Sequence, residues 1–242
     1  LNIMTEYYYD THVHTGESSL CGKVTGKQIA RLYKAAGYHG IVITDHYTRK
    51  FFRRNMDWDR KIDGYLAGYR AARREGKKIG LDVFLGMELT FAGRHNDFLL
   101  FGVRESFLRD YPELYKLEFK NLRQLARKEN ILIYQAHPFR LGAPVHPALV
   151  DGIEVFNGNP RHESHNKHAY KYAEKHHLKM ISGSDFHRKG DVARGGIITT
   201  QKITSQKTFI RVLKESNFKL ICTPGHPFSA ARIFTNVYKL LR

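Results

Sequence analysis

Two cysteines in 242 residues cannot cross-link so long a chain. The fold must therefore rest on a buried core rather than a disulfide framework, and a reducing compartment is expected. No run of eighteen apolar residues exists, and the N-terminal stretch has neither a basic region nor a signal-like apolar segment. These absences argue against a spanning helix and predict a soluble, cytoplasmic protein with no membrane partner. Repeats, low-complexity tracts and long linkers are also missing, so a single domain over residues 1–242 is expected. Acidic residues are few: 23 Asp and Glu stand against 40 Lys and Arg, a net charge of +17. Such an excess favours anionic partners. The basic residues are spread along the chain (RKFFRRN, RAARREGKK, HRKGDVARGG) with no compact basic tail, which argues against a dedicated nucleic-acid arm. Neither Cys21 nor Cys222 has Arg six positions later, which excludes a cysteine phosphatase, and GKVTGKQ lacks the spacing of a glycine-rich phosphate loop.

What is present is a recurring β pattern. Apolar, β-rich segments occur at EYYYDT, GIVITD (40–45), DVFLGM (82–87), DFLLFGV (97–103), ILIYQA (131–136), GIEVFN (152–157), LKMISG (178–183), GGIITT (195–200) and FKLICT (218–223). Helical periodicity lies between most of them. TGKQIARLYKAAG carries Ile29, Leu32, Tyr33 and Ala36 behind a capping Thr25, and PELYKLEFKNLRQLARKEN carries Leu114, Leu117, Leu122 and Leu125 behind Pro112. Alternating strands and helices imply an α/β fold with parallel strands, as an open sheet or a barrel. Only TFAGRHN joins Glu88 to Asp97, too short for a crossover helix, so this pair should turn back as a hairpin and bring Asp97 to the end of the preceding strand. His95 is the alternative there. A final helix is expected over about 227–241.

In such folds chemistry gathers at the C-terminal ends of the strands. Those ends carry His12 and His14, then Asp45 and His46, Glu88, His137, Glu154 with Asn157, and Asp185 with His187. His12 and His14 share a strand face at i and i+2, so both could reach one ion. Imidazoles and carboxylates without a thiolate tetrad suit Zn, Mn or Fe, and there are too many ligands for one ion. Two or three clustered divalent ions suit in-line displacement at phosphorus.

DTHVHT, TDHY, GME, AHP and SGSDFH, in this order, resemble the PHP (polymerase and histidinol phosphatase) family, and IEVFNGNPRH is similar to its bacterial stand-alone members. The resemblance runs from about residue 8 to 200. It implies a distorted (β/α)7 TIM-like barrel with a trinuclear metal centre hydrolysing phosphate esters. Carried over motif by motif, His12, His14, Glu88 and Asp185 would hold the first ion, Glu88 and His137 the second, and His46 and His187 the third. Two positions depart from the common pattern. Cys21, before Gly22, stands where many members have His or Asp, with Glu17 as the other candidate to complete the third shell. Asp97 stands where others have His, which leaves the metal open.

The expected chemistry is attack of a metal-bound hydroxide on phosphorus, carried by His46, Glu88, His137, Asp185 and His187, with Arg161 and Arg194 as candidate phosphate clamps. A small phosphorylated molecule is the expected substrate. A nuclease or nucleotidase is the alternative, supported by the charge and by Phe51, Phe52 and Trp58, which could stack bases or simply pack. A non-catalytic metal-stabilised module is the reading from another class. Amidohydrolases also begin with His-x-His on a barrel strand, but their last strand offers a lone Asp where SDFH here pairs Asp185 with His187. His162, His165, His168, His176 and His177 are read as a solvated helix face.

Overall fold

A computed structural model describes residues 5–53 and 56–222. Ten strands and seven α-helices follow in order: β1 (Tyr7–Val13), α1 (Gly26–Ala35), β2 (Gly40–Ile43), β3 (His46–Tyr47), α2 (Trp58–Tyr65), α3 (Ala67–Ile79), β4 (Asp82–Thr90) and β5 (Asp97–Phe101). Then come α4 (Glu105–Asp110), α5 (Phe119–Lys128), β6 (Leu132–Gln135), β7 (Gly152–Asn157), α6 (Asn166–Lys175), β8 (Lys179–Gly183), β9 (Gly195–Thr199), α7 (Gln206–Glu215) and β10 (Lys219–Cys222). The final helix expected over about 227–241 lies outside the described residues. No helix among the described residues is long and apolar enough to cross a membrane.

The strands pair in the order β10-β9-β1-β2-β4-β5-β6-β7-β8, with β3 on β4. The sheet nearly closes on itself. Beyond the end of β8, Phe186 bridges Val13 in parallel, its N–H donating to His12 O (3.2 Å) while His14 N–H donates to Phe186 O (3.0 Å). The result is a distorted, TIM-like α/β barrel. All nine expected β segments form strands, and the short connection after β4 makes the expected antiparallel hairpin, with Thr90 opposite Asp97. Two further antiparallel pairings, β1 with β9 and β9 with β10, extend the sheet at its other end.

One irregularity decides where the first motif points. On β4, Phe84 and Glu88 lie four apart and share a face. Tyr9 packs near Phe84 (centroids 6.4 Å) and His12 reaches Glu88 (3.4 Å), so two residues three apart on β1 serve that same face. A regular strand cannot do this. The β1–β2 register shifts between Asp10 and Val13, a bulge that turns His12 and His14 inward.

Helix α1 begins where expected, in a capping box with Thr25 and Gln28. The helix expected from Pro112 differs. A short 3-10 turn spans Leu114–Lys116, Leu117 is extended, and α5 starts only after Glu118. The cause is tertiary: Leu114 and Tyr115 are buried, and Tyr115 O accepts from Ala92 N–H (2.8 Å), which ties this turn to the β4–β5 connection. The aromatics of RKFFRRN divide. Phe52 is buried beside Tyr47, Trp58, Tyr65 and Tyr115, while Phe51 is half-buried.

Helix α7 packs Phe209 parallel to Phe84 (5.6 Å) and edge-on to Phe101 (5.5 Å), fully buried. Replacing such a ring by Ala removes its burial and leaves a cavity. Phe209→Ala should cost about 3–5 kcal/mol of stability, read as a lowered urea midpoint with an unchanged slope; a loss below about 1 kcal/mol would show that α7 is not part of the cooperative core.

Candidate metal centre

At the C-terminal ends of the parallel strands, His12, His14, Glu88 and Asp185 are at most 1% exposed, with His137 and His187 at the edge of the burial and His46 half-buried. Three triplets place one ligand atom each within 4.8 Å of the others: His12, Glu88 and His137; His12, His14 and Asp185; His14, His46 and His187. The rings of His46 and His187 both stack on His14 (4.3 and 4.4 Å).

The hydrogen bonds around the cluster fix which imidazole nitrogens carry protons. Glu154 Oε2 accepts from His137 N–H (3.0 Å) and Asn157 Nδ2 (2.9 Å), and its Oε1 accepts from His12 Nδ1 (2.8 Å). Ser19 has one hydroxyl proton and gives it to Asp45 Oδ1 (2.7 Å), so toward His14 Nδ1 (3.2 Å) it accepts. Both Nδ1 atoms are thus donors, which leaves the Nε2 atoms, facing each other at 3.0 Å, as the positions turned into the cluster. Two lone pairs there repel unless a proton or a metal cation lies between them. Glu88 Oε2 adds to this: it is buried with no hydrogen bond, although His46 Nδ1 approaches to 2.7 Å and His14 Nε2 to 3.4 Å. A buried set of inward-facing nitrogens and carboxylate oxygens, with His12, His14 and Asp185 held from behind by Glu154, Ser19 and Arg140, fits divalent cations.

The electrostatics agree. Burial opposes charge on His12, yet Glu154, Glu88 and Asp185 hold its pKa well above the usual imidazole range. Burial and the neighbouring His46 and His187 push His14 well below that range. Burial also works against ionised Glu88 and Asp185, but the imidazole charges, led for Glu88 by His46 and for Asp185 by His12, keep both well below the usual carboxylate range. The field that draws a proton onto His12 favours any cation at the same place.

Asp185 sits on left-handed backbone (φ 51°), and His137 also has positive φ (24°). Such geometry is costly for residues with side chains and marks where the chain turns to deliver them. Asp185 Oδ2 pairs with Arg140 Nη1 (2.9 Å) and accepts more weakly from Asn159 Nδ2 (3.4 Å), while Arg140 Nη2 donates to Asn157 Oδ1 (2.7 Å) and Ser164 Oγ (2.9 Å).

The residues singled out in the sequence fall in several places. Cys21 lies beside the cluster: burial opposes its ionisation, but hydrogen bonds from His187 and His46 prevail and bring its pKa down to about 6. Glu17 is elsewhere, exposed, accepting from Gly26 N–H with both oxygens (3.0 and 2.9 Å) at the start of α1. Asp97 lines the cavity in front of the cluster, 3.9 Å from His137 Nε2 and bonded by Thr90 Oγ1 (2.5 Å), whereas His95 is exposed and lies outside that lining. Arg161 lines the cavity, but both its terminal nitrogens are held by Asp191 (2.6 and 2.7 Å). Arg194 does not line it; its Nε donates to Gly158 O (2.7 Å). His162, His165, His168, His176 and His177 are all exposed, as expected, but only His168 lies within α6 rather than all five on one helix face, and His162 reaches the cavity edge. Sequence reasoning missed Ser19 and Arg140 and gave no role to Asp45, Glu154 or Asn159. Arg140 could have been suspected from its place three residues after His137, and Glu154 from its strand end; Ser19 had no signal.

These supports should govern metal affinity. Glu154→Gln and Ser19→Ala should each weaken binding of a divalent ion about 10–100-fold while leaving thermal unfolding cooperative, measured by competition with a chromophoric chelator; unchanged affinity in both would show that the imidazoles need no orientation from behind.

The PHP domain family model matches residues 10–220. No curated protein matches the chain. Among solved structures it is similar to a two-domain protein from Bacteroides vulgatus described as containing a "predicted PHP-like metal-dependent phosphoesterase" (TM-score 0.64, 21% identity, covering 90% of this chain and 65% of that one). It is also similar to PsfC from Pseudomonas syringae (0.64, 17%, 91% and 93%) and to a lesion-specific endonuclease from Pyrococcus furiosus (0.60, 15%, 90% and 58%). The chain thus spans less than two thirds of the first and the third of these proteins.

Proposed function

The chain belongs to the PHP domain family, and from that premise we propose that it hydrolyses a phosphate ester with divalent metal ions as cofactors. One observation carries the reading: two imidazole nitrogens whose rear partners are already engaged and an unbonded carboxylate oxygen, all buried, converge within a few ångströms. His12, His14, Glu88 and Asp185 would hold one ion, Glu88 and His137 a second, and His46 and His187 a third completed by Cys21. Glu88, within reach of His12, His14, His46 and His137, would serve more than one of these ions. Ions bound there would polarise the phosphoryl oxygens and supply a nucleophilic water at neutral pH.

The chain's own groups prepare the site. Asp45 through Ser19, and Glu154 directly, hold His14 and His12 in the tautomer that presents Nε2. Arg140 fixes Asp185 and keeps one more positive charge at the cavity floor. The cavity itself, about 480 Å³, opens onto the cluster and is lined by Arg140, Arg161, His162 and Arg188, a setting suited to an anionic substrate and to the charge that develops on it. Arg188 extends no ion pair to a carboxylate among the described residues, and so takes the clamping part for which Arg161 and Arg194 stood as candidates.

Removal of metal by a strong chelator should abolish release of nitrophenol from a chromogenic phosphoester, and Zn, Mn or Fe should restore it. Glu88→Gln should lower kcat about 10²–10³-fold with secondary structure retained by circular dichroism. Turnover indifferent to chelation, or an active Glu88→Gln protein, would remove this reading, and a loaded but inert wild-type protein would favour a non-catalytic module.

A further inference from the structure

Strand β4 is open along part of one edge. On one side it pairs with β2 from Asp82 to Leu85, but on the other it pairs with β5 only from Gly86 to Thr90. Backbone groups of successive residues in a strand point to alternate sides. Asp82 N–H donates to His39 O (2.9 Å) and Glu88 N–H to Asp45 O (3.1 Å), both on the β2 side, so Val83 and Leu85 turn theirs the other way. No strand among the described residues pairs with them there. Helix α7 fills part of the gap, where Gln206 Nε2 donates to Leu85 O (2.7 Å) and more weakly to Val103 O (3.4 Å). Val83, one step back along the same edge, lines a cavity of about 520 Å³ together with Gln206.

This cavity lies at the other end of the barrel, since Asp82, Val83 and Phe84 begin the strand that ends beyond Glu88. It shares no lining residue with the cavity before the metal cluster. Its walls carry three cations: Arg73 and Lys77, one turn apart on α3, and Lys202 just before α7. None of these side chains is held by a hydrogen bond or an ion pair among the described residues. Asp82, the one carboxylate in the lining, is half-buried and accepts no hydrogen bond; burial raises its pKa against a smaller pull from Lys202. Tyr69 is only 9% exposed, and its hydroxyl makes no hydrogen bond among the described residues. Buried polar groups in a folded chain are ordinarily paired. A strand edge, a carboxylate and a phenol that share one cavity without partners, beside three free cations, mark a place where a ligand supplies them.

We infer that this cavity is a nucleotide site, in which the edge of a nucleobase pairs with the N–H and C=O of Val83, ribose hydroxyls donate to Asp82, and phosphates lie at Arg73 and Lys77. A nucleobase edge sets a donor beside an acceptor, which is what an open strand edge requires. A carboxylate is the ordinary acceptor for ribose hydroxyls. It also repels phosphate, so the phosphates belong on α3, while Lys202 offsets the charge of Asp82. Inorganic phosphate would use the cations alone and leave the strand edge and the carboxylate unpaired. A sugar phosphate would serve the carboxylate but has no planar edge for Val83. A cavity of this volume suits a ligand of nucleotide size. No residue of the metal cluster takes part, so the inference stands apart from the phosphoester reading, and the ligand here is not the molecule that reaches the metals.

The test is calorimetric titration of the purified protein with ADP, UDP, ribose 5-phosphate and inorganic phosphate, in a strong chelator so that no hydrolysis intervenes. At least one of the two nucleotides should bind one-to-one, at least about tenfold more tightly than ribose 5-phosphate or inorganic phosphate. Arg73→Glu with Lys77→Glu should weaken that binding at least about tenfold, while the metal-loaded variant releases nitrophenol at the wild-type rate; both side chains are exposed, so folding is not at stake. Asp82→Asn should narrow the preference for the nucleotide over its 2′,3′-dideoxy analogue. An azido derivative of the nucleotide, activated by light, should label α3 or β4. No binding at millimolar nucleotide, equal affinity for ribose 5-phosphate or inorganic phosphate, a double variant that binds like the wild type, or label confined to the residues around the metal cluster would overturn the inference. Nucleotide binding by a protein that never releases nitrophenol would sustain the site and count against the phosphoester reading, whereas turnover without nucleotide binding would do the opposite.

Discussion

Two buried imidazole nitrogens facing each other at 3.0 Å, their rear nitrogens already engaged, set the terms for this structure. Without a proton or a cation between them the arrangement is electrostatically unfavourable, and four acidic side chains around it, Glu88, Glu154, Asp185 and the more distant Asp45, call for positive charge where burial penalises their own. Cations bound there would convert each of these costs into a favourable contact. Much of the rim can be understood as keeping the donors bare and aimed: Glu154 and Ser19 occupy the rear nitrogens, Asp45 orders Ser19, and Arg140 takes the far oxygen of Asp185 so that the near one faces the cluster.

The barrel supplies that rim by unlike means. β1 delivers two imidazoles through a bulge, β4 delivers Glu88 by regular alternation, and β5 delivers Asp97 from its beginning because it runs backwards. His137 and Asp185 arrive on left-handed backbone just past their strands. Strand ends in an α/β barrel collect side chains from distant sequence positions without any of them having to lie close along the chain. That is why residues from 12 to 187 can meet around a few ångströms of space.

Much of this could be read in the sequence. The apolar segments gave nine strands because their periodicity and length are local properties, and the hairpin followed from a connection too short for a helix. The histidines and acids were legible because their position relative to a strand end is also local. The helix placed at Pro112 was not, since its first turn yields to contacts with the β4–β5 connection that no window of sequence contains. Cys21 and Glu17 were not separable for a similar reason: four residues apart in one loop, they diverge to the cluster and to the start of α1. Arg140 lay hidden among so many basic residues because its partner, Asp185, is 45 positions away.

The bulge in β1 has an evolutionary corollary. Between Asp10 and Val13 the strand is out of step by one residue with its neighbour, and everything downstream inherits that offset. A point substitution there changes one side chain, but loss or gain of a single codon would re-phase the remainder of the strand and swing both imidazoles to the opposite side. Lineages descended from such a chain can vary the letters of this segment far more freely than its length.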